Sequence, residues 1–251
     1  MIPLGDDLPR LSRPRMTYMI LAATWAVWLL VEKGGLDPYA LAKSICDYGM
    51  VPGELTHKAA LGTAVPIGPG MVCAVDNSPI NILTPLLSIF LHGGWEHILG
   101  NSLFFWVFGR SVEDSMGSGR FLVFYLVCGL AAAALYIATS PASPVPTVGA
   151  SGAISGIMGA YLLLYPKARV NMFFFVFVLP IRAWLVLLYW FVLQVLEGLP
   201  QLGQQMNPQV SGGVAVWAHV GGFLTGLLLV SLFADPQLVR RHRTVFGGYY
   251  G

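Results

Sequence analysis

The chain has 251 residues, 56% of them apolar and only 10% charged, with a mean hydropathy of +0.69. Soluble domains run about 45–50% apolar and roughly 25% charged, so the composition excludes disorder and argues against a water-soluble globule. A net charge of +2 is too small for a nucleic-acid binder, 29 Gly and 17 Pro exclude a simple coiled coil, and three Cys are too few for a disulfide scaffold.

A bilayer core about 30 Å thick needs roughly 20 mostly apolar helical residues. In chain order, six stretches fit: Thr17–Val31, Trp95–Val112, Phe121–Thr139, Ser151–Tyr165, Ala183–Leu196 and Val214–Ala234. The apolar Met172–Leu179, interrupted by Pro180 and Arg182, reads as a cytosolic-side loop dipping into the interface or as a helical extension. The first span lacks the small-residue cleavage site of a signal peptide. With the N-terminus in the cytosol, Arg10, Arg13, Arg15, Arg110, Arg120, Lys167, Arg169, Arg182, Arg240, Arg241 and Arg243 all lie inside, 11 of the 14 basic residues. The expected fold is therefore an all-α membrane protein of six spans with both termini cytosolic. Residues 1–16 form a cytosolic segment, 17–234 the helical domain and 235–251 a basic cytosolic tail. The external loop, about 33–81, is long enough to be functional or locally structured. It holds Cys46 and Cys73 on the oxidising side of a bacterial-type inner membrane, where pairing is open.

Polar groups inside spans are costly and usually have a partner or a function. Three clusters stand out: His92-Gly93-Gly94-Trp95-Glu96-His97-Ile98-Leu99-Gly100-Asn101, Gly149-Ala150-Ser151-Gly152-Ala153-Ile154-Ser155-Gly156, and His219-Val220-Gly221-Gly222-Phe223-Leu224-Thr225-Gly226. Pro141, Pro144 and Pro146 keep the approach to Ser151 non-helical. The helix that follows stops before Pro166, so it reaches only about 22 Å and must start below the outer surface. Irregular backbone at that depth needs protein or water around it, which implies a water-accessible pocket. His219 lies at a comparable depth in the last span. Gly222 and Gly226 share its face, and small residues at Gly149, Gly152, Ser155 and Gly159 let the two helices approach closely.

A serine hydroxyl is a poor nucleophile until a base takes its proton, and histidine suits that task. Without Asp or Glu in the fourth or sixth span, the chemistry is a Ser–His dyad, with Ser151 N–H, the Asn101 amide and the His97 ring available as oxyanion donors. His92 and His97 are five apart, a poor metal spacing with no Cys or third His nearby, so no metal or cofactor is expected. Ser155 and Ser102 read as packing or helix back-bonding, and Glu113 as an interface residue or a partner of Arg110 or Arg120.

Together the three clusters resemble the rhomboid family of intramembrane serine proteases over about Pro79 to Ala234. The family's Gly-x-Ser-Gly stands as Gly149-Ala150-Ser151-Gly152 and its His-x-x-Gly-x-x-x-Gly as His219, Gly222 and Gly226. The resemblance implies a six-transmembrane-helix bundle, Ser151 as nucleophile, His219 as general base, Asn101 and His97 at oxyanion positions, and His92 as an accessory histidine. It implies membrane-embedded protein substrates within the lipid bilayer, cleaved as a serine endopeptidase, and access governed by the fifth span and the loop Glu197–Gly213. The Trp-Arg pair many relatives carry in the first loop is absent. Two other readings are an inactive rhomboid-like module that binds or routes membrane proteins, and a small transporter. The absence of inverted repeats and intramembrane acids disfavours the transporter.

Overall fold

The computed structural model describes residues 2–68, 70–202 and 215–246. Among them a short strand β1 (Ile2–Asp6) precedes helix α1 (Arg15–Leu30). The segment after α1 then builds α2 (Pro38–Tyr48), α3 (Pro52–Leu55), the hairpin of β2 (Ala64–Gly68) and β3 (Met71–Ala74), and α4 (Thr84–Leu87). Next come α5 (Trp95–Phe104) and α6 (Arg110–Met116), joined by a π-turn over Phe105–Gly109. After α7 (Ser118–Thr139) and α8 (Ser151–Leu164) the chain forms β4 (Arg169–Phe174) and β5 (Phe177–Arg182), then α9 (Ala183–Gly198), α10 (Val216–Phe233) and α11 (Pro236–Phe246). Most of the expected Glu197–Gly213 loop, residues 203–213, lies outside the described residues. By length and composition, α7 and α10 can each cross a membrane.

The fold is mostly helical, but the all-α expectation needs a correction. β1, β4 and β5 form an antiparallel sheet in the order β1-β4-β5, so Met172–Leu179 is a hairpin and not a helical extension. Its Phe- and Val-rich run favours extended chain, and Pro180 is tolerated because β5 is the edge strand. The eight residues from Phe173 to Pro180 are all exposed and none is polar. The segment 33–81, expected to be functional or locally structured, does carry local structure. Asp37 caps α2 by accepting from the N–H groups of Tyr39 and Ala40 (3.0 and 3.2 Å), and a disulfide joins Cys46 on α2 to Cys73 on β3.

The opposite end of the bundle is held by two carboxylates, Glu113 and Asp6. Glu113 pairs with neither Arg110 nor Arg120. It accepts from Met16 N–H (2.9 Å), Thr17 N–H and Oγ1 (both 2.8 Å) and Ser118 Oγ (2.5 Å), satisfying donors at the start of α1. Asp6 accepts from Ser111 Oγ (2.7 Å), Tyr161 Oη (3.0 Å) and Arg10 (2.9 Å), which fastens β1 to α6 and α8. Burial nonetheless pushes the Asp6 carboxyl up, against the lowering effect of these partners.

At the centre stands α8, of which only Ser151 and Leu163 escape full burial. It lies between α7 and α10 at backbone distance. A Cβ at Gly222 would come within 1.9 Å of the Gly152 carbonyl oxygen, and one at Gly226 within 1.8 Å of the Gly156 carbonyl oxygen. These two glycines set the separation of α8 and α10, and with it the separation of the side chains at their starts.

Candidate active site

Ser151 is the first residue of α8 and His219 the fourth of α10. The close helix contact brings His219 Nε2 to 2.8 Å from Ser151 Oγ. The other ring nitrogen, Nδ1, lies 2.6 Å from Gln194 Oε1 on α9, and the Trp190 ring sits 5.7 Å from the imidazole at 38°.

Across the site, His97 and Asn101 lie on one face of α5. Gly93 N–H donates to His97 Nδ1 (3.3 Å), so a neutral ring carries its proton on Nε2. That nitrogen reaches the backbone before Ser151, since a Cβ at Gly149 would lie 2.6 Å from it. Gly149 also holds φ at +126°, a conformation side chains rarely adopt, and its N–H donates to Ser88 O (2.9 Å). Asn101 Nδ2 is buried and donates to nothing among the described residues. Ser151, His219, His97, Asn101 and Gly149 all line one cavity of about 1330 Å³, walled in part by Met50 and Thr147, which pair as an isolated β-bridge.

The family model described as "Rhomboid domain" matches residues 80–236. The chain belongs to the rhomboid family. It is 46% identical over 81 residues to rhomboid protease GluP of Bacillus subtilis, covering 32% of this chain and 15% of that protein. It is 30% identical over 168 residues to the mitochondrial rhomboid protein 1 of Saccharomyces cerevisiae, covering 61% and 43%. To the mitochondrial RHOMBOID-like protein 12 of Arabidopsis thaliana it is 30% identical over 158 residues, covering 55% and 43%. The chain thus spans less than half the length of each of these relatives. Membership places it in a family of integral membrane proteins.

Within this rhomboid domain the residues of the three motifs converge, with one exception. His92 does not line the cavity. It is fully buried behind His97, ring centroids 5.0 Å apart, and its backbone N–H donates to Glu32 Oε1 (2.8 Å). Gly152 presents its Cα to Ala132 of α7, while its carbonyl meets Gly222. Ser155 back-bonds to Ser151 O (2.7 Å), as expected of a packing serine, whereas Ser102 accepts from Trp25 Nε1 (3.1 Å) and so ties α5 to α1.

Sequence reasoning missed Gln194, Trp190 and Glu32. Gln194 had a legible signal, being the one polar residue within the expected span Ala183–Leu196. Trp190 is one of many aromatics there, and Glu32 sits just past the first span. Neither carried a mark of its own.

Proposed function

We propose that the chain is an intramembrane serine endopeptidase that cleaves membrane-embedded proteins with Ser151 and His219. The observation that carries this reading is the 2.8 Å approach of His219 Nε2 to Ser151 Oγ at the floor of the cavity. Nε2 takes the hydroxyl proton as Oγ attacks the scissile carbonyl, then returns it to the leaving amine. The acyl-enzyme left on Ser151 is hydrolysed when the same imidazole activates water. Developing negative charge on the carbonyl oxygen needs donors without other acceptors. The free Asn101 Nδ2, His97 Nε2–H and the Ser151 backbone N–H fit that need. No metal or cofactor enters these steps.

The topology proposed with it has six spans, with 1–16 and 235–251 cytosolic and the domain at 17–234. The location is a bacterial inner membrane, with the cavity opening to the external side. The distribution of basic residues supports this arrangement.

The test compares wild type with Ser151→Ala and His219→Ala in detergent. Each is treated with a mechanism-based serine-hydrolase probe and with a membrane-helix substrate. Labelling and cleavage should vanish in both variants. Equal cleavage by wild type and Ser151→Ala removes the Ser151 assignment, whereas wild type that neither labels nor cleaves leaves a rhomboid-like module that holds or routes membrane proteins.

A further inference from the structure

We propose that Gln194 is a positioning residue of this site, its side-chain carbonyl fixing the tautomer of His219 so that Nδ1 carries the proton and Nε2 accepts from Ser151. The inference rests on the dyad reading above and adds a third member that the Ser151 and His219 motifs do not contain.

The buried residues of α9 are Ala183, Leu187, Gln194 and Gly198, a single stripe at helical spacing. Three are small or apolar. An amide at the fourth position costs free energy unless it is hydrogen-bonded, and Gln194 Oε1 meets its requirement at His219 Nδ1, 2.6 Å away. With Oε1 turned to the ring, a carbonyl oxygen that only accepts pairs with a proton on Nδ1. In a neutral imidazole the other nitrogen is then a lone-pair acceptor, the form a general base needs. The opposite tautomer would point Nε2–H at Ser151 and leave two acceptors facing each other across Nδ1.

Flanking contacts hold Gln194 in place. One turn before it, Phe191 stacks on Phe223 of α10 with centroids 4.6 Å apart. One turn after it, Gly198 O accepts from Trp217 Nε1 of α10 (3.2 Å). Trp190 covers the imidazole itself. The choice of an amide is physically reasonable. A carboxylate would orient the ring equally well, as in three-membered sites, but would put an uncompensated charge inside the membrane slab. Gln194 supplies the acceptor without the charge.

A bond between α9 and α10 could also act only as interhelical glue, and the experiment separates the two roles. Full-length wild type, Gln194→Leu, Gln194→Met and Gln194→Glu are labelled with ¹⁵N-histidine, and the His219 ring is assigned with His219→Gln. Wild type should show the Nδ1-protonated tautomer. The Leu and Met variants should lose it as the dominant form, and Gln194→Glu, which keeps the acceptor, should retain it. Turnover of a membrane-helix substrate should fall roughly 10- to 100-fold in kcat for Leu and Met, with KM within about twofold and thermal stability reported beside it. Gln194→Glu should recover most of the kcat. A wild-type His219 protonated on Nε2, or Leu and Met variants that lose stability but keep wild-type kcat and tautomer, would overturn the proposal. The tautomer is read without any substrate, so cleavage that survives Ser151→Ala would remove the dyad reading while leaving the Gln194–His219 relation decided on its own.

Discussion

Gly222 of α10 meets Gly152 of α8 so closely that a single methyl group at position 222 would lie 1.9 Å from the Gly152 carbonyl oxygen. Backbone cannot yield as a flexible side chain can, so the helices must separate. Gly222→Ala should therefore destabilise the protein by roughly 3 kcal/mol or more, at the upper end of overpacking effects. It should also stretch the His219–Ser151 contact, so that probe labelling of folded protein falls below wild type. Thermal unfolding and labelling rate on the same sample check both effects.

Asn101 offers an unused, buried donor to the cavity. Asn101→Ala should lower kcat by roughly 10²–10³, the cost of removing one oxyanion donor elsewhere, with little change in KM. Steady-state kinetics on a membrane-helix substrate decide it. A rise in KM alone would place Asn101 in substrate binding.

Glu113 satisfies two backbone N–H groups at the start of α1 and two hydroxyls. Glu113→Ala strips all four bonds at once and should cost roughly 2–4 kcal/mol, more than loss of an ordinary helix cap. Glu113→Gln keeps acceptor capacity on one oxygen and should cost about half as much. The damage lies at the far end of the bundle, so the folded fraction should keep near-normal probe labelling.

Asp114 supplies a pH signature. Burial pushes its carboxyl up, but hydrogen bonds from His242, Ser12 and Leu11 N–H outweigh that and hold it below the usual carboxylate range. A depressed folded value means the ionised form stabilises the fold. That contribution is present above the ordinary value of about 3.9 and is lost as pH falls through the lower, folded one. Asp114→Asn should therefore be less stable than wild type at pH 7, by roughly 2 kcal/mol. The gap should close as the pH drops below about 4. Unfolding midpoints across pH 3–7 measure it, and a gap independent of pH would assign the loss to packing.

The motif glycines and Ser151 were legible because the residue type carries the requirement. Only glycine fits the +126° turn at position 149 and the backbone contacts at Gly222 and Gly226, and Ser151 opens a short apolar helix that ends before Pro166. The sheet of β1, β4 and β5 was hidden for the opposite reason. An apolar Phe/Val run looks alike as a membrane loop, a helix or a strand, and the partner β1 lies some 160 residues away in sequence. The expected pairing of Glu113 with Arg110 or Arg120 failed because its nearest opposite charges in sequence are arginines, while its bonds go to α1 and to Ser118 at the start of α7.

By itself, the sequence determined the solvent and singled out the candidate site residues. Its scarce charge and apolar stretches suit lipid, and Ser151, His219, His97 and Asn101 are among the polar exceptions. What only the tertiary structure decided is how those groups are aimed. The partner of His219 Nδ1 is Gln194, on another helix, and His92 stands behind His97 against Glu32. Hydrogen-bond direction depends on positions in space to within a fraction of an ångström, and side chains on separate helices leave no spacing in the sequence that records it.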